Sequence, residues 1–253
     1  MDINTIKNTF KKNKKILEKN FPDLDPSKIE KLTEEIMCTN IIQDFMGVKS
    51  WYEAIQKKDL NNVSEIDLAK VDKWFSSEEN ISHITNKFFQ VVGIRTVGGA
   101  DRESGSGWDQ PFFKEINKDG GILGLIKTHI NDLPHYLVQA KFEPGNYGKI
   151  QISPTLQATF SNIDREHGGR TPHYYEFFKD WESTNKDYLF NSWLAEDGGR
   201  FYLKRNRGVV KFVDYSKIEI VNDNFTWASM YQIKQLLNLD AIINPHLARL
   251  IFL

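Results

Sequence analysis

His135-Tyr-Leu-Val-Gln-Ala-Lys-Phe-Glu-Pro-Gly-Asn-Tyr-Gly-Lys-Ile-Gln-Ile-Ser-Pro-Thr-Leu-Gln-Ala-Thr159 places a hydrogen-bonding side chain at almost every second position. Side chains of a strand alternate between its two faces. Residues 135–143 then carry His135, Leu137, Gln139, Lys141 and Glu143 on one face, with Tyr136, Val138, Ala140 and Phe142 on the other. Pro144-Gly145-Asn146-Tyr147-Gly148 is a turn by composition. The returning strand sets Lys149, Gln151, Ser153, Thr155, Gln157 and Thr159 against Ile150, Ile152, Leu156 and Ala158. Ordinary solvated strand faces favour Thr, Lys and Glu, whereas this one is rich in Gln, Ser and Asn. Such a surface suits a neutral polyol.

Working outward, the 253 residues suffice for one large domain or two small ones. Hydrophobic and charged fractions of 40% and 26% are ordinary for a globular chain. A net charge of −1 lacks the excess of cations that general nucleic-acid binding requires. The single cysteine, Cys38, excludes an internal disulfide and any cysteine-cluster zinc site, and reads as a small apolar filler. The first residues lack a signal-peptide core, and no apolar run reaches the roughly 20 residues of a membrane helix. The expectation is a cytoplasmic protein with neither membrane nor nucleic acid as partner.

Residues 1–60 read as helices, a helical N-terminal extension preceding a module over 61–253. Ile3, Ile6, Phe10, Leu17 and Phe21 fall near one face, with lysines around the rest. Ile29, Leu32 and Ile36 continue in a second helix, Gly47 reads as a stop, and residues 51–58 as a short helical piece. Residues 81–85 and 88–97 read as a hairpin, and Gly98 to Gly107 as a flexible loop. Strands are expected at 121–127, 135–143, 149–158, 187–194 and 200–213, and helices near 172–181, 227–238 and 245–252. Thr171-Pro172 and Asn244-Pro245 supply caps for two of those helices. Strands with inserted helices but no regular β-α-β alternation predict an α+β fold.

The common catalytic motifs fail. Gly120-Gly121-Ile-Leu-Gly124 has the spacing of neither a P-loop nor a dinucleotide fingerprint. No Gly-x-Ser-x-Gly elbow occurs. The histidines at 83, 129, 135, 167, 173 and 246 form no metal pair at helical spacing, and the metal box of Nudix pyrophosphatases is missing. No metal is expected. Arg205 and Arg207 lie within an apolar strand pattern; they either form structural ion pairs or hold phosphate, whose oxygens match the guanidinium fork.

Several segments together resemble one family. Trp108-Asp-Gln110-Pro, Gly121-Ile-Leu-Gly, the run from His135 to Asn146, Gln151-Ile-Ser-Pro-Thr-Leu-Gln-Ala-Thr159, Ser161-Asn162, His167-x-Gly169 and Phe201-Tyr-Leu-Lys-Arg-Asn-Arg207 occur in the order of the NDP-hexose 2,3-dehydratases. The resemblance covers roughly residues 60–253. It implies a Nudix-like mixed-sheet module flanked by helices. Members of that family usually hold two modules in tandem, so a single module implies a homodimer.

The resemblance further implies loss of water across C2–C3 of a nucleoside-diphospho-4-keto-6-deoxyhexose, dTDP being the favoured nucleotide, to give a 3,4-diketo-2,6-dideoxy sugar. The C4 ketone acidifies the C3 hydrogen, so the elimination needs no redox cofactor. It needs a base, an enolate stabiliser and a proton donor for the C2 hydroxyl. Glu143, Lys141 and His135 are the respective candidates, Lys141 and Glu143 forming alternatively a simple ion pair. Gln139, Gln151, Ser153, Gln157 and Thr159 are sugar-binding candidates, with Asn146 either a ligand contact or a turn former. Trp108 and Gln110 are candidates for the nucleobase, Arg205, Asn206 and Arg207 for the diphosphate, and His167, Arg170, Tyr174 and Tyr175 for the rest of the pocket. Two other readings stay open: a nucleotide-sugar-binding module without catalysis, and an isomerase or epimerase of the same 4-keto sugar.

Overall fold

The computed structural model describes residues 1–40, 43–98, 107–116, 120–165, 168–183 and 187–252. Three helices come first: α1 (Ile3–Asn20), α2 (Pro26–Asn40) and α3 (Met46–Lys58). Asp2 caps α1 by accepting from the Asn4 and Thr5 backbone N–H groups. Gly47 lies inside the first turn of α3 and does not end a helix, which corrects the sequence reading. A four-stranded antiparallel sheet follows in chain order, β1 (Trp74–Ser76), β2 (Asn80–His83), β3 (Phe89–Val97) and β4 (Gly107–Glu115). Most of the segment read as a glycine-rich loop lies outside the described residues, and the strand carrying Trp108 was not foreseen.

The remaining strands are β5 (Gly121–Ile130), β6 (Leu133–Phe142), β7 (Ile150–Pro154), β8 (Leu156–Thr159), β9 (Tyr188–Ala195), β10 (Arg205–Phe212) and β11 (Phe225–Ala228). They form a mixed seven-stranded sheet of order β11-β6-β5-β10-β9, in which β10 runs parallel to β5. The fold is therefore α+β. A helical turn, α4 (Phe160–Ile163), follows β8, and α5 (Met230–Leu237) and α6 (Pro245–Ile251) close the chain. Among the described residues no helix is long and apolar enough to cross a membrane.

Strands β5 and β6 form a hairpin through Asn131-Asp132, both at positive φ, as a two-residue turn of the type that matches strand twist requires. They stay paired only as far as Ile126 and Leu137 and then separate. The fork is filled by β7, paired with β6, and β8, paired with β5. The return strand read as continuous over 149–158 is thus two strands that reverse at Thr155. Its side-chain phase reverses as well. Ile150 and Ile152 join the core with Val138 and Ala140, whereas Leu156 and Ala158 pack on the opposite face with Ile122, Ile126 and Leu137.

At the apex of the fork, the buried Thr155 hydroxyl accepts from Ile126 N–H at 3.0 Å and donates to the Leu137 carbonyl. It satisfies both backbone groups where the β5–β6 ladder ends. One face of the sheet is covered by α3, α5 and α6; the larger core includes Tyr52, Tyr136, Ile233 and Leu247. The other is covered by the segment around Tyr174 and Phe178, and a Cβ at Gly124 would stand 2.7 Å from the Phe178 ring. That segment holds a single 3-10 turn, Tyr175–Phe177, in place of the expected helix over 172–181, because Tyr174 adopts a left-handed conformation. Residues 225–228 are likewise a strand, with the helix starting only after the Ser229 cap.

The amino-terminal helices are bound to the sheet by buried charge. Lys127 Nζ meets Glu30 at 2.7 Å and Glu34 at 2.6 Å, and the Tyr136 hydroxyl donates to Glu34. His129 adds a 2.9 Å contact to Glu30. Burial raises the Glu30 carboxyl pKa, but the His129 hydrogen bond and the Lys127 charge outweigh it and hold the group at about 2, against 4.5 ordinarily. Helix α3 belongs to the larger core, with the Tyr52 hydroxyl donating to Ile150 O at 2.9 Å.

Two outcomes follow from this frame. Thr155→Val leaves the Ile126 N–H and Leu137 carbonyl buried without a partner and should destabilise the protein by about 1–3 kcal/mol in denaturant titration, with Thr155→Ser retaining most of the stability. Glu34→Ala removes one partner of a buried cation and should cost about 3–5 kcal/mol. Because the folded pKa of Glu30 is depressed, its contribution is complete above about 4.5 and is lost as pH falls toward about 2. Acid melts that are flat across this window in wild type would contradict the assignment.

Candidate active site

Lys141 and Glu143 lie at the open end of β6, two residues apart, and their side chains meet at 2.8 Å. The Lys141 ammonium also reaches across the fork to donate to the Gln157 carbonyl of β8 at 3.0 Å. Two cavities adjoin here. The first, of about 360 Å³, is lined by Gln139, Lys141, Gln157, Asn162, Arg165 and Arg170, among others. The second, of about 340 Å³, is lined by Lys141, Glu143, Gln157, Glu196, Asn206 and His246, among others. Lys141, Gln157, Ala158 and Asn162 line both. The forked sheet thus holds a cation where the two cavities meet, with its carboxylate partner on the wall of the second.

The residues proposed from sequence divide by position. Gln139 and Arg170 line the first cavity, Thr159 and Asn206 the second. Among the described residues the buried Gln157 Oε1 atom has no hydrogen-bond partner. The same holds of the buried Ser153 Oγ, but Ser153 lines neither cavity. Gln151 is engaged with the Ala241 carbonyl at 2.9 Å. Asn146 closes its turn by donating to Lys149 O at 3.2 Å. Tyr174 is a core residue whose hydroxyl donates to Glu219 O, and Tyr175 packs beside it.

Other candidates are not brought to the cavities. His135 is held by the Leu133 carbonyl at the far end of β6, 3.0 Å from Nδ1, and burial lowers its pKa. Trp108 donates to Gln110, which donates to Gly199 O, on the four-stranded sheet. Arg205 lies over the Trp193 ring at 4.3 Å, and Arg207 is set between Trp181 and Trp193 with Asn191 as acceptor. Strand alternation sends those two arginines to one face and Asn206, which donates to Glu196, to the other. His167 lies outside the described residues.

Several cavity residues went unforeseen: Arg165, Glu196, Lys204 and His246. Arg165 donates to the Thr171 hydroxyl at 2.8 and 2.6 Å, at the rim of the first cavity. Lys204 is paired with Glu115 at 2.6 Å. His246 belongs to the first turn of α6, which the Asn244-Pro245 cap signal did locate, but nothing local to it in sequence points toward Lys141. Among the described residues no group of three or more His, Cys, Asp or Glu could hold a metal ion.

A family model described as NDP-hexose 2,3-dehydratase matches residues 46–252, beginning at the first residue of α3. A relative from Amycolatopsis orientalis named dTDP-4-dehydro-6-deoxy-alpha-D-glucopyranose 2,3-dehydratase is 33% identical over 206 residues, 78% of this chain and 42% of its own length. A protein of the same name from Streptomyces violaceoruber is 29% identical over 205 residues, 80% of this chain and 45% of the relative. Another from Saccharopolyspora spinosa is 33% identical over 183 residues, 72% and 36% of the two chains. The match therefore spans less than half the length of each relative. With nearly all of the chain from α3 onward matched, the protein belongs to the NDP-hexose 2,3-dehydratase family.

Proposed function

We propose that the protein is a hydro-lyase that removes water across C2–C3 of a dTDP-linked 4-keto-6-deoxyhexose. The observation that supports this most directly is the ion pair of Lys141, which lines both cavities, with Glu143, which lines the second. In this reading Glu143 takes the C3 proton and the Lys141 ammonium faces the C4 oxygen as negative charge gathers there. A preorganised cation at that oxygen stabilises the developing charge without reorganisation at the moment of reaction. Gln139, Gln157 and Asn162 hold the sugar hydroxyls. Arg165 and Arg170 at the rim of the first cavity hold the diphosphate, leaving Arg205 and Arg207 to their tryptophans.

The family module is Nudix-like in this proposal and begins at α3, with α1 and α2 as the helical extension. In the same proposal it acts in the cytoplasm as a homodimer. The names of those relatives support dTDP as the nucleotide.

Incubation with dTDP-4-dehydro-6-deoxy-α-D-glucopyranose and a dicarbonyl trap should release one water per sugar. Lys141→Met and Glu143→Gln should each lower turnover by at least roughly 10²-fold with substrate binding nearly unchanged. Normal turnover by either variant would sink the role given to it. Arg170→Ala should weaken dTDP binding by roughly 10- to 100-fold, a charge-assisted hydrogen bond contributing about 1.5–3 kcal/mol, whereas Arg205→Ala should leave it unchanged.

A further inference from the structure

The proposed elimination needs a proton donor for the departing hydroxyl, and His135, the sequence candidate, lies away from both cavities. His246 lies in the second. Segment 242–244 is fastened along β7: Ile152 N–H donates to Ile242 O at 2.8 Å and Asn244 N–H to Ile152 O at 2.9 Å. The Asn244 side chain then accepts from His246 N–H at 2.8 Å. These contacts deliver the imidazole to the wall shared with Lys141, Glu143, Glu196, Lys204 and Asn206.

Each other ionisable group of that wall has a partner. Lys141 is held by Glu143 and Gln157 O, Lys204 by Glu115, and Glu196 accepts from Asn206. The His246 Nδ1 atom is buried with no hydrogen-bond partner among the described residues. A buried polar atom left unpaired costs free energy and calls for an explanation in function. We infer that His246 is the acid that protonates the C2 hydroxyl as it leaves.

The inference rests on the dehydration reading, and its steps balance. Glu143 takes the C3 proton, and the electron pair of that bond forms the C3–C4 double bond with charge on the C4 oxygen beside Lys141. The pair then moves to C2–C3 as the C2–O bond breaks, and the imidazolium gives its proton to the leaving oxygen, releasing water. Glu143 afterwards loses a proton to solvent and His246 regains one. Burial lowers the imidazole pKa below its ordinary value; Glu196 opposes this, while Arg249, Lys204 and Lys141 reinforce it. An imidazolium so placed is a stronger acid than one in water but the minor form at neutral pH, so the step draws on a protonated fraction that grows as pH falls.

The test separates the two halves of the reaction. In deuterium oxide with dTDP-4-dehydro-6-deoxy-α-D-glucopyranose, His246→Gln should still place deuterium at C3, because Glu143 and Lys141 are intact. Its water loss should fall by roughly 10²-fold, so deuterated sugar accumulates without dehydration. His246→Asn serves as a second variant, and both are checked by thermal melting and dTDP binding. A folded, dTDP-binding variant that dehydrates at the wild-type rate, or that loses exchange together with dehydration, overturns the acid role alone. Wild-type protein that neither exchanges nor dehydrates overturns the dehydration reading, and the acid role with it.

Discussion

The Thr155 hydroxyl satisfies an N–H of β5 and a carbonyl of β6 at the point where the two strands part. Without it, two backbone groups would be stranded inside the core, and the fork would favour closing into an ordinary hairpin. An open fork is what admits β7 and β8. With β8 inserted, its Gln157 carbonyl comes within reach of Lys141 on β6, and both cavities border on that contact. The arrangement of the candidate site is therefore a consequence of one hydroxyl-bearing side chain at the reversal. Valine, nearly the same in shape, lacks the atom that does this.

A second constraint acts from outside the matched family segment. Lys127, on the β5 stretch that remains paired with β6, points toward α2 and is neutralised there by Glu30 and Glu34. The charge is almost fully buried, so its attraction to those carboxylates must offset a large desolvation cost. The helices before residue 46 are consequently tied to the sheet through a buried charge. They supply the counter-charge that lets a lysine stand inside the sheet, and Leu133 packs with Ile6, Phe10 and Met37 beside it.

How much of this could be read in the sequence depended on the range of the interaction involved. Alternation placed Gln139 and Lys141 opposite Val138 and Ala140 correctly, because a strand repeats every two residues whatever its neighbours are. Helical spacing of Ile6 and Phe10 located α1 for the same reason. Alternation also runs unbroken through Thr155, however, and so concealed the reversal; only the partners of its hydroxyl reveal it, and those lie 29 and 18 residues away. The helix expected over 172–181 failed at Tyr174, whose left-handed backbone allows its ring to fill the core and its hydroxyl to meet Glu219 O. The neighbours Lys141 and Glu143 were legible as a pair, whereas His246 reaches them only through the pairing of 242–244 with β7.

The same dependence on range explains why the arginines near the carboxyl end of the chain pointed elsewhere. Arg205 and Arg207 carry the charge that phosphate recognition needs, but a strand cannot send Arg205, Asn206 and Arg207 to one side. With Val210 and Gly208 facing α6, Asn206 must face the second cavity and the arginines the opposite side, where Trp181 and Trp193 accept their planar cations. In the proposed reading, anion binding beside Lys141 falls to groups carried by the segment after β8. Arg165 and Arg170 occupy that segment, and both line the first cavity with Asn162 and Gln139. One cavity thus combines arginine cations with amide groups and the other an imidazole with carboxylates, and they share Lys141.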